Sequence, residues 1–185
     1  MWHILMKAFS RSLIFICVVL LTHTACTRAE DEKLHYFSIG YSTPEGNKIW
    51  IRKAEFDRRY TRPGGNLACC WEEEGASSGI FNESLPKHVY IEWIDLGDQL
   101  LYTADVDLVA DVQKRAKEMT EVRDTESGFH EKGNIIIIVG MGEHGEVIVW
   151  LSNYPYSGGT ITGRVLDVVG KAQATARPWK PPAAQ

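Results

Sequence analysis

The chain has 185 residues, 44% of them hydrophobic and 24% charged, so it is long enough for one domain with a real core and too ordinary in composition for a disordered chain. Its 20 lysines and arginines face 24 aspartates and glutamates, a formal net charge of −4. That balance excludes nucleic acid as an expected partner, because displacing phosphate counterions needs a basic surface, while it is compatible with a basic protein partner.

The chain begins with a segment of distinct character. Lys7 and Arg11 precede an unbroken apolar run, Leu13 to Leu21, and the small residues Thr24 and Ala25 lead to Cys26. A basic start, a short apolar middle and a small-residue exit are the parts of a secretory signal. The run has about nine residues where a membrane-spanning helix needs about 20, so it suits export better than permanent anchoring. Removing residues 1–25 takes away Lys7 and Arg11 and no acid, so the mature chain is more acidic still. Ala25-Cys26 resembles the lipobox of bacterial lipoproteins, in which the cysteine is acylated and becomes the new N-terminus; His23 stands where that family has an aliphatic residue. Thr27-Arg28-Ala29 offers an alternative cut for ordinary signal peptidase. In lipoproteins with such a signal, Thr27 rather than aspartate after the cysteine implies the outer membrane.

Residues 26–33 are short, polar and charged and read as the lipidated N-terminus and a solvated tether. From Leu34 strand patterns dominate. His35 to Tyr41 is aromatic-rich, Thr43 to Asn47 is turn chemistry, and Lys48 to Arg52 resumes a strand continued at period two by Ala54, Phe56 and Tyr60. Arg62 to Asn66 breaks it. The apolar segment Leu67 to Trp71 ends in Glu72-Glu73-Glu74, and Gly75 to Pro86, small, polar and closed by proline, reads as a loop. His88 to Ile94 alternates cleanly, and Leu100 to Thr103 begins another strand.

One main helix is expected over Asp107 to Met119, with Leu108, Val109, Val112, Ala116 and Met119 on one face and Asp105 or Asp107 as its cap. Arg123 to Gly133 reads as a polar loop. Ile135 to Val139 is apolar on both faces, the mark of a central strand, and Val147 to Leu151 returns from the turn Gly142 to Gly145 to make a hairpin. Thr160 to Val169 is a weaker strand or a final helix, and the proline-rich tail from Ala174 reads as disordered. The expectation is an α+β fold, a mostly antiparallel, sandwich-like sheet with one covering helix, as a single domain over residues 34–170 with a disordered tail at 171–185.

Candidate chemistry is sparse. Gly75-Ala76-Ser77-Ser78-Gly79 matches the G-x-S-x-G nucleophile elbow, which needs a buried strand before the serine and a helix after it. Neither flank has that character, so the loop reading of Ser77 is preferred. His35, His88, His130 and His144 lack ligand spacing, and Asp105, Asp107 and Asp111 lack the glycine and final glutamate of a calcium loop, so no metal or other cofactor is expected. Cys69 and Cys70 are adjacent. They can form a strained vicinal disulfide, two buried thiols or a bridge to another chain, and an unacylated Cys26 could pair with either.

Several stretches together resemble a known group: the lipobox-like end at Cys26, Gly64 to Trp71, Leu85-Pro86 leading into Val89 to Trp93, and Ile138 to Gly140 with Gly145 to Leu151. The pattern is similar to small Gram-negative lipoproteins catalogued as domains of unknown function, of the DUF2931 and DUF3304 kind. No catalytic residues come with the resemblance. It implies a palmitate-bearing envelope lipoprotein and, because some such proteins accompany type VI secretion phospholipases, an immunity protein that docks onto the toxin. Arg62, Trp71, Glu72, Glu73, Glu74 and His144, on the segments Arg62–Pro86 and Glu143–Gly145, are the expected contact residues. The competing expectations are an envelope hydrolase using Ser77 and a structural envelope lipoprotein.

Overall fold

A computed structural model describes residues 33–62, 64–131 and 134–181. The expected signal over residues 1–25 and the lipidation at Cys26 lie outside them. Strand alternation runs through most of the chain, and the backbone follows it: β1 (Leu34–Ser42), β2 (Ile49–Phe56), β3 (Tyr60–Thr61), β4 (Gly65–Leu67), β5 (Ala76–Glu83), β6 (His88–Asp95), β7 (Leu100–Asp107), α1 (Val112–Glu118), β8 (Val122–Asp124), β9 (His130–Glu131), β10 (Ile136–Met141), a 3-10 turn (Glu143–Gly145), β11 (Glu146–Ser152), β12 (Ile161–Thr162), β13 (Leu166–Gln173) and β14 (Thr175–Pro178).

The first sheet runs β13-β11-β10-β1-β5. The second runs β14-β7-β6-β2, with β3 and β4 pairing opposite ends of β2. A small third sheet is β12-β8-β9. Pairing is antiparallel except between β1 and β10, where Ser38 to Ser42 run beside Ile136 to Gly140 in parallel. The fold is therefore mostly antiparallel β-sheet with one short helix.

The core shows why. Phe37, Ile39 and Tyr41 of β1, Ile137 and Val139 of β10, and Val147, Val149 and Leu151 of β11 join Ile51, Phe56, Ile91 and Trp93 of the second sheet in one buried cluster. Each such large side chain contributes roughly 1.5–3 kcal/mol when fully buried, far more than local propensity can oppose. β10 is central in the first sheet and apolar on both faces: Ile136 and Ile138 form a second cluster with Trp150 on the outer face.

The two sheets are connected along one side by a single run of chain. β13 ends at Gln173 and β14 begins at Thr175, pairing with β7 from Thr103 to Leu100. On the opposite side Arg59, beside β3, reaches Glu83 and Ser84 at the end of β5, each at 3.4 Å.

Three expectations are corrected and one alternative is decided. Gly75 to Pro86 is not a loop, since β5 occupies most of it; pairing with β1 from Leu34–Glu83 to Tyr41–Ala76 imposes extended backbone on serines and glycine of low strand propensity. The expected helix starts later. Tyr102, Ala104, Val106 and Leu108 are buried at period two, so the strand runs through Asp105 and Asp107, and α1 keeps only Val112–Glu118 with Asp111 at its N-cap. Of the two alternatives for Thr160 to Val169 the strand is found, as β12 and the start of β13. The tail expected to be disordered from Ala174 is instead edge strand β14, which tolerates Pro178 because its outer side needs no donor. Among the described residues no helix is long and apolar enough to cross a membrane.

Candidate functional site: the disulfide corner and its acidic turns

The chain leaves β4 and turns back onto β1 through Cys69-Cys70. The two sulfurs are bonded at 2.05 Å, with the Cα atoms 3.7 Å apart. Cys70 has φ +80° and Glu72 φ +66°, left-handed backbone that costs a side-chain-bearing residue roughly 1–2 kcal/mol. Local hydrogen bonds hold the reversal: Thr43 N donates to Cys69 O (3.1 Å), Ser42 Oγ to Cys70 O (2.6 Å), Glu73 N to Cys70 O (2.8 Å) and Gly75 N to Tyr41 O (2.9 Å).

This corner lays Trp71 on the outer face of the first sheet. Its ring meets Trp150 edge-on, centroids 5.0 Å apart. A Cβ on Gly142 would come within 3.2 Å of Trp71 Cη2, so the tryptophan also borders the β10–β11 turn. The three glutamates diverge. The Glu72 carbonyl accepts from Arg164, whose Nε donates to Tyr154 O at 3.1 Å. Glu73 accepts from the backbone N of Ser157 at 2.8 Å and from its hydroxyl; those bonds, the hydroxyl first, hold its pKa below the usual carboxylate value. Glu74 folds over Gly40, where a Cβ would lie 2.9 Å from its Cγ, and burial pushes its pKa up.

Three turns gather next to this corner. Glu45, Gly46 and Asn47 after β1, Asp95, Gly97 and Asp98 after β6, and Glu143 and His144 after β10 line a cleft of about 430 Å³. Asp95 Oδ1 accepts from Gly97 N (2.8 Å) and Asp98 N (3.0 Å), which sets that turn. His144 is exposed with φ +57°, and its carbonyl accepts from Gln173 Nε2 at 2.7 Å. Glu45, Asp95, Asp98, Glu143 and His144 thus line one acid-rich cleft. Among the described residues no group of three or more His, Cys, Asp or Glu is arranged to hold a metal ion. What the cleft can do chemically is attract cations from a partner and order them by hydrogen bonds.

Of the expected contact residues, Trp71, Glu72, Glu73 and Glu74 share the corner, and His144 is on the neighbouring turn. Arg62 is elsewhere: its guanidinium lies 5.7 Å over the Tyr60 ring, and the Tyr60 hydroxyl, chiefly through burial, is pushed up to about 12. Arg62–Pro86 is therefore not one contact loop. Ser77 sits inside β5 opposite Gly40, with strand rather than helix after it, which is not the elbow geometry. Glu45, Asp95, Asp98, Ser157 and Arg164 escape sequence reading because they are spread over four separate connections; the turn residues beside Gly46 and Gly97 are the only local signal.

These features define a β-rich domain with one short helix and a disulfide-braced, acid-rich end. Residues 23–177 match the family described as protein of unknown function DUF2931, and the chain belongs to that family. No curated protein and no solved structure matches it.

Proposed function

We propose that this protein is an exported lipoprotein, tethered through Cys26 to the outer membrane and facing the periplasm, that works by docking onto a protein partner. The sharpest form of the reading is an immunity protein that neutralises a type VI secretion toxin of the phospholipase type. The observation that carries it is the acid-rich cleft lined by Glu45, Asp95, Asp98, Glu143 and His144, next to the braced Trp71 corner. A concave acidic surface on a rigid support accelerates encounter with a basic partner, and a half-buried tryptophan at its margin supplies an anchor. A lipid tether would hold the module at the membrane such a toxin attacks and raise its local concentration.

The test is co-purification with the product of the adjacent gene, followed by survival of cells exposed to that product. Asp98→Lys and Glu143→Lys should each weaken binding by about tenfold, with a steeper loss in low salt. Absence of both binding and protection in the wild-type chain would overturn the reading. Cys26→Ser should keep binding and lose membrane association. Ser77→Ala should leave protection unchanged, whereas an envelope hydrolase acting through Ser77 would lose it.

A further inference from the structure

The turn between β6 and β7 has two sides of opposite character. Asp95, Gly97 and Asp98 line the acid-rich cleft, whereas Leu96, between them in sequence, lines a second hollow of about 340 Å³ with Lys48, Ile49, Asn66, Leu67 and Ala68. The same division falls between Asn47, on the cleft, and Lys48, on the hollow. Leu96 N donates to Lys48 O at 2.9 Å, so the two segments are joined into one rim. Cleft and hollow are therefore neighbours across that rim.

The hollow is apolar where the cleft is charged. Leu96 is 40% exposed, and Trp50, paired in register with Asn66 on the hollow, is 41% exposed. Arg52 lies 6.0 Å over the Trp50 ring, but its charge is met by Glu92 at 3.3 Å. Accessible large apolar side chains beside a charged margin are the anatomy of a protein interface. Charge decides what fits there. The carboxylates of Glu45, Asp95, Asp98 and Glu143 across the rim repel anionic lipid head groups, and they repel a second copy of a chain whose formal net charge is −4. They attract a cationic segment of another protein. Lys48, on the hollow, turns that cation toward the cleft and leaves the hollow to an apolar group.

We propose that the protein partner straddles the Asp95–Asp98 turn with one segment that carries a basic and a large apolar side chain side by side, the base entering the acid-rich cleft and the apolar group the hollow at Leu96 and Trp50. The inference rests on the reading of this protein as a docking module. It adds the chemistry of the partner's segment and a second anchor on the second sheet, whereas Trp71 lies on the first.

The test uses the processed chain and the product of the adjacent gene, with association and dissociation rates read at low and high salt. Trp50→Ala should weaken binding roughly tenfold and Leu96→Ser about fivefold, both by faster dissociation and equally at the two salt concentrations. Leu96→Met should bind as the wild type does. Asp98→Lys should instead slow association, and its loss should shrink as salt rises. Leu96 is exposed, so Leu96→Ser reads the hollow independently of any effect of Trp50→Ala on the fold, and unchanged circular dichroism checks both. Wild-type binding that Asp98→Lys weakens, but that Trp50→Ala and Leu96→Ser leave untouched, overturns the proposal and leaves the docking reading standing. A wild-type chain that does not bind overturns both. Self-association in sedimentation, or flotation of the Cys26→Ser chain with phosphatidylethanolamine–phosphatidylglycerol vesicles, that is lost in Leu96→Ser assigns the hollow to another occupant and overturns the proposal.

Discussion

Trp71 meets Trp150 edge-on, with the ring planes at 89°, and the contact closes only because residue 140 has no side chain. A Cβ on Gly140 would lie 2.3 Å from Trp150 Cζ3 and 3.1 Å from Trp71 Cζ3. Overpacking of this kind costs about 1–3 kcal/mol. Gly140→Ala should destabilise by about 2 kcal/mol in urea unfolding. Trp71→Ala should cost about 2 kcal/mol through lost burial and ring contact. Because both changes act on one contact, the double variant should lose less than the two single losses together.

Adjacent glutamates should show opposite pH behaviour. Glu73 has a depressed folded pKa from its Ser157 bonds, so its contribution is present above the unfolded value and is lost as pH falls through the folded one. Glu73→Gln should destabilise at neutral pH, and the difference should vanish in acid. Glu74 has a raised folded pKa from burial, so its ionised form opposes folding, fully so above that pKa and not at all below the unfolded value. Glu74→Gln should stabilise at neutral pH, with the gain fading as the medium is acidified. The measurement is unfolding free energy against pH.

The Cys69–Cys70 bond closes a ring of neighbours and constrains little unfolded chain, so on loop entropy its removal should cost only about 1 kcal/mol. Its larger effect is local, because it sits where Cys70 is left-handed and Trp71 is launched onto the sheet. Reduction should leave the melting temperature nearly unchanged while shifting Trp71 fluorescence, and Trp71→Phe should abolish most of that shift. A large fall in melting temperature on reduction would contradict this account.

β14 pairs Thr175 to Pro178 with Thr103 to Leu100, and the Thr103 and Thr175 hydroxyls meet at 2.9 Å. A chain ended after Gln173 should therefore lose about 2 kcal/mol, a few net hydrogen bonds, and amides of β7 should exchange faster. A tail that merely trails in solvent would leave both unchanged when removed.

Strand content was legible wherever alternation coincided with burial. His88 to Ile94 reads directly because its alternation matches a sheet with one buried face, and the Ile135 to Leu151 hairpin because its unbroken apolar run matches a strand buried on both faces. β5 did not, since Ala76-Ser77-Ser78-Gly79 carries no strand preference of its own and becomes extended only by bonding to β1. The boundary of α1 failed for a related reason: Leu108 fits a helical period and a strand period equally, and packing against Gly170 decides for the sheet side.

The sequence by itself determined the class of molecule: an acidic chain with a strand-rich body and two adjacent cysteines, because composition and local periodicity are properties of neighbours along the chain. Only the tertiary structure decided that Glu45, Asp95, Asp98, Glu143 and His144 share one cleft and that Arg62 stands apart from Trp71. Those relations arise from strand order and register, which are set by burial between segments far apart in the chain and leave no local signature.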